Sequence, residues 1–242
     1  MIWRWMVVMK VHLRISAAGF ALLCLCGLEL GTASAQLNQL PAKEYIDRMD
    51  KDSRQSTLKV DEVIAKLGLK PGDVVADIGS GSGLFSIPFA KAVAPNGVVY
   101  AVDIDKDMLS YVANKAEKGG VTNLRTVLGE YNDPKLPEHV DVAFFHRVLH
   151  MIQNRQLYLN NTAPYVKPAG RIVIIDKNPD QSPNSWMWLK QSDVDTWMAA
   201  VSYYPAQQFN LFNDRYFVVY QRPDGKKTPL LDKHTPSGAP EN

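Results

Sequence analysis

Three glycines alternate with serines over positions 79–83 of the chain. The full stretch, residues 77–83, reads Asp-Ile-Gly-Ser-Gly-Ser-Gly and lies between a predicted strand at 74–78 and a predicted helix at 84–94. Glycine allows a tight turn and lets a ligand approach the backbone without meeting a Cβ atom. The start of the following helix adds free N–H groups that can donate hydrogen bonds. This pattern favours a loop that contacts a ligand.

A carboxylate stands at the end of the next predicted strand. Asp103 closes the apolar run 98–102 and lies 22 residues beyond Gly81. A carboxylate in this position can accept two hydrogen bonds from the hydroxyls of a ribose. The pair predicts a nucleotide-type ligand, and the alternative is a structural turn beside a solvated Asp103. Neither a dinucleotide fingerprint nor a P-loop fits, because Leu84 replaces the third glycine and no Gly-Lys-Ser/Thr run exists.

Short apolar runs alternate with amphipathic helical segments around this loop. The predicted strands are residues 74–78, 98–102, 124–128, 140–145 and 171–176. The predicted helices are residues 56–67, 84–94, 106–118, 153–166 and 184–201, and a hairpin is predicted from 207–212 and 215–220. Such alternation is typical of a parallel sheet covered on both faces. The sequence therefore predicts an α/β fold with a doubly wound, mostly parallel, Rossmann-like sheet of seven strands and a C-terminal antiparallel hairpin.

The predicted sheet also gives the place of the site. Open parallel sheets bind ligands beyond the carboxyl ends of their strands, where the strand order reverses. The segments that directly follow predicted strands are residues 77–83, 103–105, 129–132 and 146–150. We therefore expect the ligand-binding residues to come from these four segments.

The first 35 residues have the features of an export signal. Basic residues precede an apolar run at about 15–28, and Ala33-Ser34-Ala35 fits a signal-peptidase site. The run is shorter than the roughly 20 apolar residues of a membrane-spanning helix. We expect a signal peptide at 1–35 that is cleaved after Ala35, giving a periplasmic or secreted protein without a membrane span. The alternative is an uncleaved signal that anchors the protein in a membrane.

The chain beyond this segment is electrically neutral. Residues 36–242 contain equal numbers of basic and acidic residues, whereas nucleic-acid binding needs clustered Lys and Arg, so we expect no nucleic-acid partner. Cys24 and Cys26 both lie in the signal segment, which excludes disulfides, thiolate metal sites and a cysteine nucleophile from the mature chain. The expected organisation is a polar lead-in segment at 36–55, one domain at 56–221 and a flexible tail at 222–242.

Five segments of this domain resemble the class I S-adenosylmethionine-dependent methyltransferases. They are VVADIGSGSG (74–83), VYAVDID (99–105), LRTVLGEYNDPKLP (124–137), VDVAFFHRVLH (140–150) and VKPAGRIVIIDK (166–177). The resemblance covers about residues 56–221. It implies S-adenosylmethionine as the cofactor and methyl transfer as the reaction, while it says little about the methyl acceptor.

The resemblance also implies which residues hold the cofactor. The loop backbone would lie against the methionine and ribose parts of the cofactor, through Gly79, Ser80, Gly81, Ser82 and Gly83. Asp77 would help to hold the amino group, and Asp103 would bind the ribose diol. Ile104 would lie against the adenine, Glu130 would lie near the adenine amino group, and Tyr131 could pack on the ring.

The acceptor side of the site is less well defined by the sequence. His146 and His150 follow the fourth predicted strand, close to where the methyl group should point, and His150 is the better candidate for a general base. A structural histidine is the alternative for each; their spacing also allows a metal site, although we expect none. Tyr203 and Tyr204, near a predicted loop, are candidates for substrate contacts.

We expect a small, uncharged or apolar methyl acceptor. The Asp/Asn-Pro-Pro-Tyr/Phe run that accompanies amino methylation of DNA bases is absent after the fourth strand, and the mature chain lacks cysteines for arsenite chemistry. Export would separate the chain from cytoplasmic S-adenosylmethionine. An exported, non-catalytic ligand-binding protein on the same fold is therefore an alternative function, and an NAD(P)-dependent oxidoreductase is a third.

Overall fold

A sheet of seven strands runs through the part of the chain that the computed structural model describes, namely Ile46, residues 57–181 and residues 187–223. The strands are β1 (Val74–Ile78), β2 (Val98–Asp103), β3 (Leu124–Leu128), β4 (Val140–His146), β5 (Val166–Lys177), β6 (Tyr204–Gln208) and β7 (Arg215–Gln221). Their order in the sheet is β3-β2-β1-β4-β5-β7-β6.

The strand directions confirm the predicted architecture. Neighbouring strands from β3 through β5 run parallel. Strand β7 runs antiparallel to both β5 and β6, which makes the C-terminal hairpin. The strand order reverses at β1, because β2 lies on one side of it and β4 on the other. In open α/β sheets this reversal is the place where ligands bind.

Helices cover both faces of the sheet. They are α1 (Val60–Leu67), α2 (Ser86–Val93), α3 (Lys106–Lys118), α4 (Arg155–Thr162) and α5 (Gln191–Ala200), with 3₁₀ helices at Leu149–Met151, Ala163–Tyr165 and Pro179–Gln181. Alternate residues of β1 divide between two apolar clusters. Val75 packs in the cluster that contains α1 and α2, and Ala76 and Ile78 pack in the cluster that contains α4 and α5. The central strands are thus buried on both faces, as their continuous apolar runs predict.

The boundaries predicted around β5 differ from the structure. The helix predicted over 153–166 ends early, since β5 already begins at Val166. Pro168-Ala169-Gly170, which lie between the predicted helix and the predicted strand at 171–176, are inside β5 beside an irregularity in its pairing with β4. A Cβ atom on Gly170 would lie 2.9 Å from the carbonyl oxygen of Asp141. The glycine therefore lets the two strands approach closely enough to stay in one sheet.

Part of the predicted organisation lies outside the described residues. This applies to the signal peptide at 1–35, to all of the lead-in segment 36–55 except Ile46, and to residues 224–242 of the tail. Within the ranges that the structure describes, no helix is long and apolar enough to cross a membrane.

A close contact joins the loop after β1 to the segment after β4. Gly79 has a φ of +68°, and a Cβ atom built on it would lie 2.4 Å from Cγ2 of Val148. Any side chain at this position would overlap the valine, so only glycine lets Val148 pack on the loop. This contact holds residues 146–150 against the glycine loop.

We predict that Gly79→Ala destabilises the fold more than Gly68→Ala. Both glycines have a left-handed backbone, with φ of +68° and +58°, but nothing lies within 4 Å of a Cβ atom built on Gly68. Left-handed strain alone costs about 1–2 kcal/mol, and the overlap at Gly79 adds roughly 1–3 kcal/mol. Urea denaturation of the full-length chain measures both free energies of unfolding. Equal losses would show that the Val148 contact does not constrain the loop.

Candidate functional site

The glycine loop (residues 79–83) is tied to the strand beside β1. Its first two N–H groups both donate to the carbonyl oxygen of Val102 in β2, at 2.8 and 2.9 Å. Gly81 and Gly83 have φ values of +51° and +73°, which residues with a side chain rarely adopt. The turn itself therefore requires the glycine spacing seen in the sequence.

Asp103 faces this loop from the end of β2. Its Oδ2 accepts a hydrogen bond from the Gly81 N–H at 3.0 Å, and its Oδ1 accepts one from the Asp105 N–H at 3.1 Å. Burial raises the pKa of Asp103, and these N–H donors oppose the rise. Each carboxylate oxygen has two lone pairs, so both can still accept from a second donor. A diol is a ligand group of the right chemistry for this position.

Asp77, at the end of β1, is almost completely buried, with 3% of its surface exposed. The hydroxyl of Ser86 donates to its Oδ2 at 2.5 Å. Burial raises the pKa of Asp77 to about 7, the Ser86 hydrogen bond opposes this rise, and the charge of Asp103 adds to it. The carboxyl group therefore titrates near neutral pH, and a cationic ligand group beside it would favour its ionised form.

The two serines of the glycine loop have buried hydroxyl groups. Ser80 is 7% exposed and Ser82 is fully buried, and neither Oγ has a hydrogen-bond partner within the described part of the chain. Buried polar groups are nearly always hydrogen-bonded in folded proteins. Two unsatisfied hydroxyls in one loop are therefore consistent with a loop that receives a polar ligand.

Apolar surface is exposed next to Asp103. Ile104 follows β2 and is 48% exposed, and Tyr131, shortly after β3, is 84% exposed. The Gly129 N–H donates to the Asp103 carbonyl oxygen at 2.9 Å, which holds the ends of β2 and β3 together. Glu130, between the glycine and the tyrosine, is exposed as well. The predicted cofactor residues thus all belong to the carboxyl ends of β1, β2 and β3 or to the segments that follow them.

His150 is held by a buried carboxylate. Its Nδ1 lies 3.0 Å from both carboxylate oxygens of Asp176, near the end of β5. The Asp176 side chain is fully buried, and 8% of the His150 side chain is exposed. Arg155 donates to the His150 carbonyl oxygen at 2.9 Å, and the imidazole meets the Trp188 ring edge-on with centroids 4.7 Å apart. The orientation of the imidazole is thus fixed by several contacts.

His146 has different surroundings. Its ring centroid lies 4.8 Å from that of Phe85 and 6.4 Å from the nearly parallel ring of Phe144. Both phenylalanines belong to the apolar cluster of α1 and α2. Across the described ranges, no group of three or more histidine, cysteine or acidic side chains is placed to hold a metal ion. Of the two predicted catalytic residues, His150 is held by a carboxylate, a partner suited to proton transfer, and His146 packs beside aromatic rings.

The structure places Tyr203 and Tyr204 away from this site, which gives no support to their prediction as substrate contacts. Tyr203 is fully buried, with the Arg222 guanidinium 4.6 Å from its ring centroid. In the sheet, Tyr204 of β6 pairs with Gln221 of β7, and Gln221 pairs with Arg171 of β5. Arg171 in turn pairs with β4 near the amino end of that strand. The glycine loop follows the carboxyl end of β1. The tyrosines therefore lie near the opposite end of the parallel strands, where their amino ends are. The hairpin starts at residue 204, earlier than predicted, which makes Tyr204 part of the sheet, while Tyr203 directly precedes the strand.

The structure brings further charged residues to the acceptor side, which the sequence analysis missed. Asp176 and Lys177 are the last two residues of β5, and Arg147 directly follows β4 with a left-handed φ of +54°. The cationic groups of Arg147 and Lys177 lie 5.6 and 5.0 Å from the ring centroid of Trp188. The signal that identified Asp103, a charged residue at the end of a buried strand, applies equally to Asp176.

A cavity of about 420 Å³ lies elsewhere, between α3 and β3. Its lining includes Ala113, Leu124 and Arg125. Leu124 begins β3, so the cavity lies toward the amino ends of the strands, away from the glycine loop. We therefore assign the site from the loop and its neighbours.

The buried Asp77 predicts a pH dependence of stability. Because its pKa rises from 3.8 to about 7 on folding, the native state keeps a proton over this window that the unfolded state has released. The contribution of Asp77 to the free energy of unfolding is fully present below about pH 4 and is lost as the pH rises through about 7. Relative to Asp77→Asn, the wild-type free energy of unfolding should fall from pH 4 to pH 7 and then level off, as measured by urea denaturation. If the free energy of unfolding of the wild type, relative to Asp77→Asn, stayed constant or rose from pH 4 to pH 7, the raised pKa of Asp77 would be contradicted.

Known proteins share both the sequence pattern and the fold. Residues 69–213 match the family described as Methyltransferase domain. An arsenite methyltransferase of Halobacterium salinarum is 31% identical over 109 residues, which cover 45% of this chain and 28% of that protein. A ubiquinone/menaquinone biosynthesis C-methyltransferase of Ectopseudomonas mendocina is 28% identical over 118 residues, which cover 48% of this chain and 46% of that protein. The chain thus spans less than half the length of these two curated relatives.

A solved structure has the same fold. It is a SAM dependent methyltransferase from Aquifex aeolicus, with a TM-score of 0.68 and 23% sequence identity. The superposition covers 75% of this chain and 98% of that chain. Since the family match extends over more than half of the sequence, the chain belongs to the methyltransferase domain family.

Proposed function

We propose that this protein transfers a methyl group from S-adenosylmethionine to a small-molecule acceptor. The observation that supports the proposal most directly is the 3.0 Å hydrogen bond from the Gly81 N–H to Asp103. It brings a glycine-rich loop against a carboxylate where the order of a parallel sheet reverses. Membership of the methyltransferase domain family supports the same reaction and gives no support to an NAD(P)-dependent oxidoreductase.

The polar groups of the site fit S-adenosylmethionine. Asp103 has lone pairs free to accept hydrogen bonds from the ribose diol. Asp77, with its pKa raised to about 7, would be stabilised in its ionised form by the ammonium group of the cofactor. The buried hydroxyls of Ser80 and Ser82 would gain a polar ligand close by. Each of these groups gains a favourable interaction when the cofactor binds.

The adenine would lie on the apolar surface beside Asp103. Ile104 and Tyr131 are 48% and 84% exposed, which is a large exposure for side chains of this size. Covering them with an aromatic ring removes apolar surface from water. Glu130, next to Tyr131, offers a carboxylate that can accept from the adenine amino group. These roles follow the resemblance and are part of the proposal.

The cofactor supplies a methyl group on a sulfonium, which is already activated toward attack. The chain therefore has to align the acceptor with that methyl group and manage its proton. Val148 packs on Gly79, so the segment that carries His150 lies against the loop that would hold the cofactor. We assign His150 as the residue that contacts the acceptor, and we place His146 in a packing role between aromatic rings.

The proposed acceptor is small and uncharged or apolar. Met151 is 64% exposed and directly follows His150, and Met187 is 41% exposed and directly precedes Trp188. Because Trp188 contacts the His150 ring, both methionines lie close in sequence to the proposed acceptor contact. Exposed apolar side chains in such a position support an acceptor with an apolar body.

We also propose that the protein is exported, with cleavage after Ala35 and a periplasmic or secreted location. The support is the basic, apolar and small-residue sequence of residues 1–35. N-terminal sequencing of the protein isolated from its host should begin at Gln36. Recovery of the intact N-terminus in the membrane fraction would instead establish an uncleaved anchor.

Isothermal titration of the full-length chain tests the proposed cofactor. We predict binding of both S-adenosylmethionine and its demethylated product, S-adenosylhomocysteine, in the micromolar range or tighter. Asp103→Ala should weaken both affinities at least about tenfold, because charge-assisted hydrogen bonds contribute about 1.5–3 kcal/mol each. Asp103→Asn keeps an acceptor for the Gly81 N–H and separates loss of ligand contact from distortion of the loop.

Asp107→Ala is the matched control, because it removes an exposed acid of the same region. Its affinity should equal that of the wild type. A folded protein that binds neither ligand would refute the proposed function. Binding of both ligands without transfer of a tritiated methyl group to any component of a small-molecule extract would favour the non-catalytic alternative.

A further inference from the structure

Building on the proposed methyl transfer, we infer that His150 and Asp176 act as a pair that removes a proton from a hydroxyl group of the acceptor. In this pair Asp176 is the positioning residue and His150 is the general base. The inference specifies the reacting group of the acceptor, which neither the family nor the cofactor determines.

The contacts of Asp176 fix the proton arrangement of His150. A carboxylate only accepts hydrogen bonds, so the imidazole nitrogen that lies 3.0 Å from both of its oxygens must carry a hydrogen. That nitrogen is Nδ1, which leaves the lone pair of the neutral ring on Nε2. The Lys177 N–H also donates to the carboxylate, at 2.8 Å, and thereby holds it in place. Full burial of the Asp176 side chain keeps water from competing for these bonds.

The other ring nitrogen is left available. Nε2 of His150 makes no hydrogen bond to any residue in the described part of the chain. It is also not among the fully buried side-chain nitrogens without a hydrogen-bond partner in the part of the chain that the structure describes. The exposed 8% of the His150 side chain can therefore present Nε2 to a ligand. A base needs this combination of an open lone pair and a fixed ring.

Charged groups surround the pair from several elements. Arg155 of α4 binds the His150 carbonyl oxygen, and Arg147 and Lys177 place cationic groups 5.6 and 5.0 Å from the centroid of Trp188, which contacts the imidazole. Lys177 is also within 3.8 Å of Asp214. Tyr216 of β7 lies near Asp176, whose charge contributes to the raised pKa of the phenol, although burial is the main cause. Several positively charged side chains close together would stabilise negative charge that develops on the acceptor oxygen during the reaction.

The proposed step balances as a single displacement. The hydroxyl oxygen of the acceptor attacks the methyl carbon, the carbon–sulfur bond breaks, and its electron pair stays on sulfur. The hydroxyl proton moves to Nε2 of His150, and Asp176 stabilises the resulting imidazolium. The products are a methyl ether and S-adenosylhomocysteine, and the imidazolium then loses its proton to water.

The reacting group follows from the need for a base. A neutral amine attacks through a free lone pair, and a carboxylate is already ionised, so neither requires proton removal before attack. A phenol or alcohol is a weak nucleophile until its proton leaves. A histidine fixed by a buried carboxylate is thus best suited to a hydroxyl acceptor, which also agrees with the proposed uncharged substrate.

Nuclear magnetic resonance of full-length protein labelled with ¹⁵N-histidine tests the arrangement without requiring activity. We expect the neutral imidazole of His150 to carry its hydrogen on Nδ1 and not on Nε2. Its signal is assigned by its loss in His150→Gln. Asp176→Asn should alter this tautomer while leaving the other histidine signals unchanged. A wild-type His150 protonated on Nε2 instead would overturn the inference.

Methyl transfer from tritiated S-adenosylmethionine tests the acceptor class. The probes are a panel of phenol, catechol and benzyl alcohol, with benzylamine and benzoate as non-hydroxyl counterparts. We expect label in hydroxyl probes only. His150→Gln should lower kcat by about 10²–10⁴-fold, Asp176→Asn should lower kcat with little change in KM, and the exposed-histidine variant His139→Gln should match the wild type.

S-adenosylhomocysteine binding is measured for every variant, which separates this inference from the proposed function. If the wild type did not bind S-adenosylhomocysteine, the proposed function itself would be refuted. Normal binding combined with label in benzylamine or benzoate, with no label in any hydroxyl probe, or with full activity in His150→Gln would overturn the inference alone. Normal binding with an altered pH–rate profile in Asp176→Asn would support a positioning role beyond a structural one.

Discussion

The glycine loop contacts β2 on one side of β1 and the segment after β4 on the other side. The rest of the site depends on these two contacts. On one side Gly79 makes room for Val148, which follows β4. On the other side the Gly81 N–H donates to Asp103, which ends β2. The first contact leaves no room for a side chain, and the second occurs at a glycine with a left-handed φ of +51°. The loop therefore brings the proposed cofactor groups and the proposed acceptor groups to one place.

The cofactor half of the site could be predicted because its signals are local in the sequence. A buried strand, a glycine turn and an acid closing the next strand follow one another within 30 residues, from 74 to 103. Parallel strands place their carboxyl ends at one edge, so the contact between the loop and Asp103 follows from the fold class alone. The exposed positions of Ile104 and Tyr131 follow from the same rule, since both come after strands.

The acceptor half could not be predicted because it depends on register and on turns. His150 and Asp176 are 26 residues apart, and their contact requires both the pairing of β4 with β5 and a 3₁₀ turn at Leu149–Met151. From the sequence, His146 and His150 both simply follow the fourth strand. In the structure the left-handed backbone of Arg147 lies between them, and their side chains have different surroundings. The burial of Tyr203 could not be predicted for a related reason, because it depends on where the next strand begins, and that strand begins earlier than the sequence indicates.

The central claim is that Asp103 and the glycine loop together hold the adenosine of S-adenosylmethionine. A crystal structure of the full-length chain with S-adenosylhomocysteine tests it most directly. The account predicts both ribose hydroxyls within hydrogen-bonding distance of Asp103, with the sulfur directed toward residues 146–150. A ligand seated elsewhere, or an Asp103 carboxylate that contacts no part of it, would contradict the account.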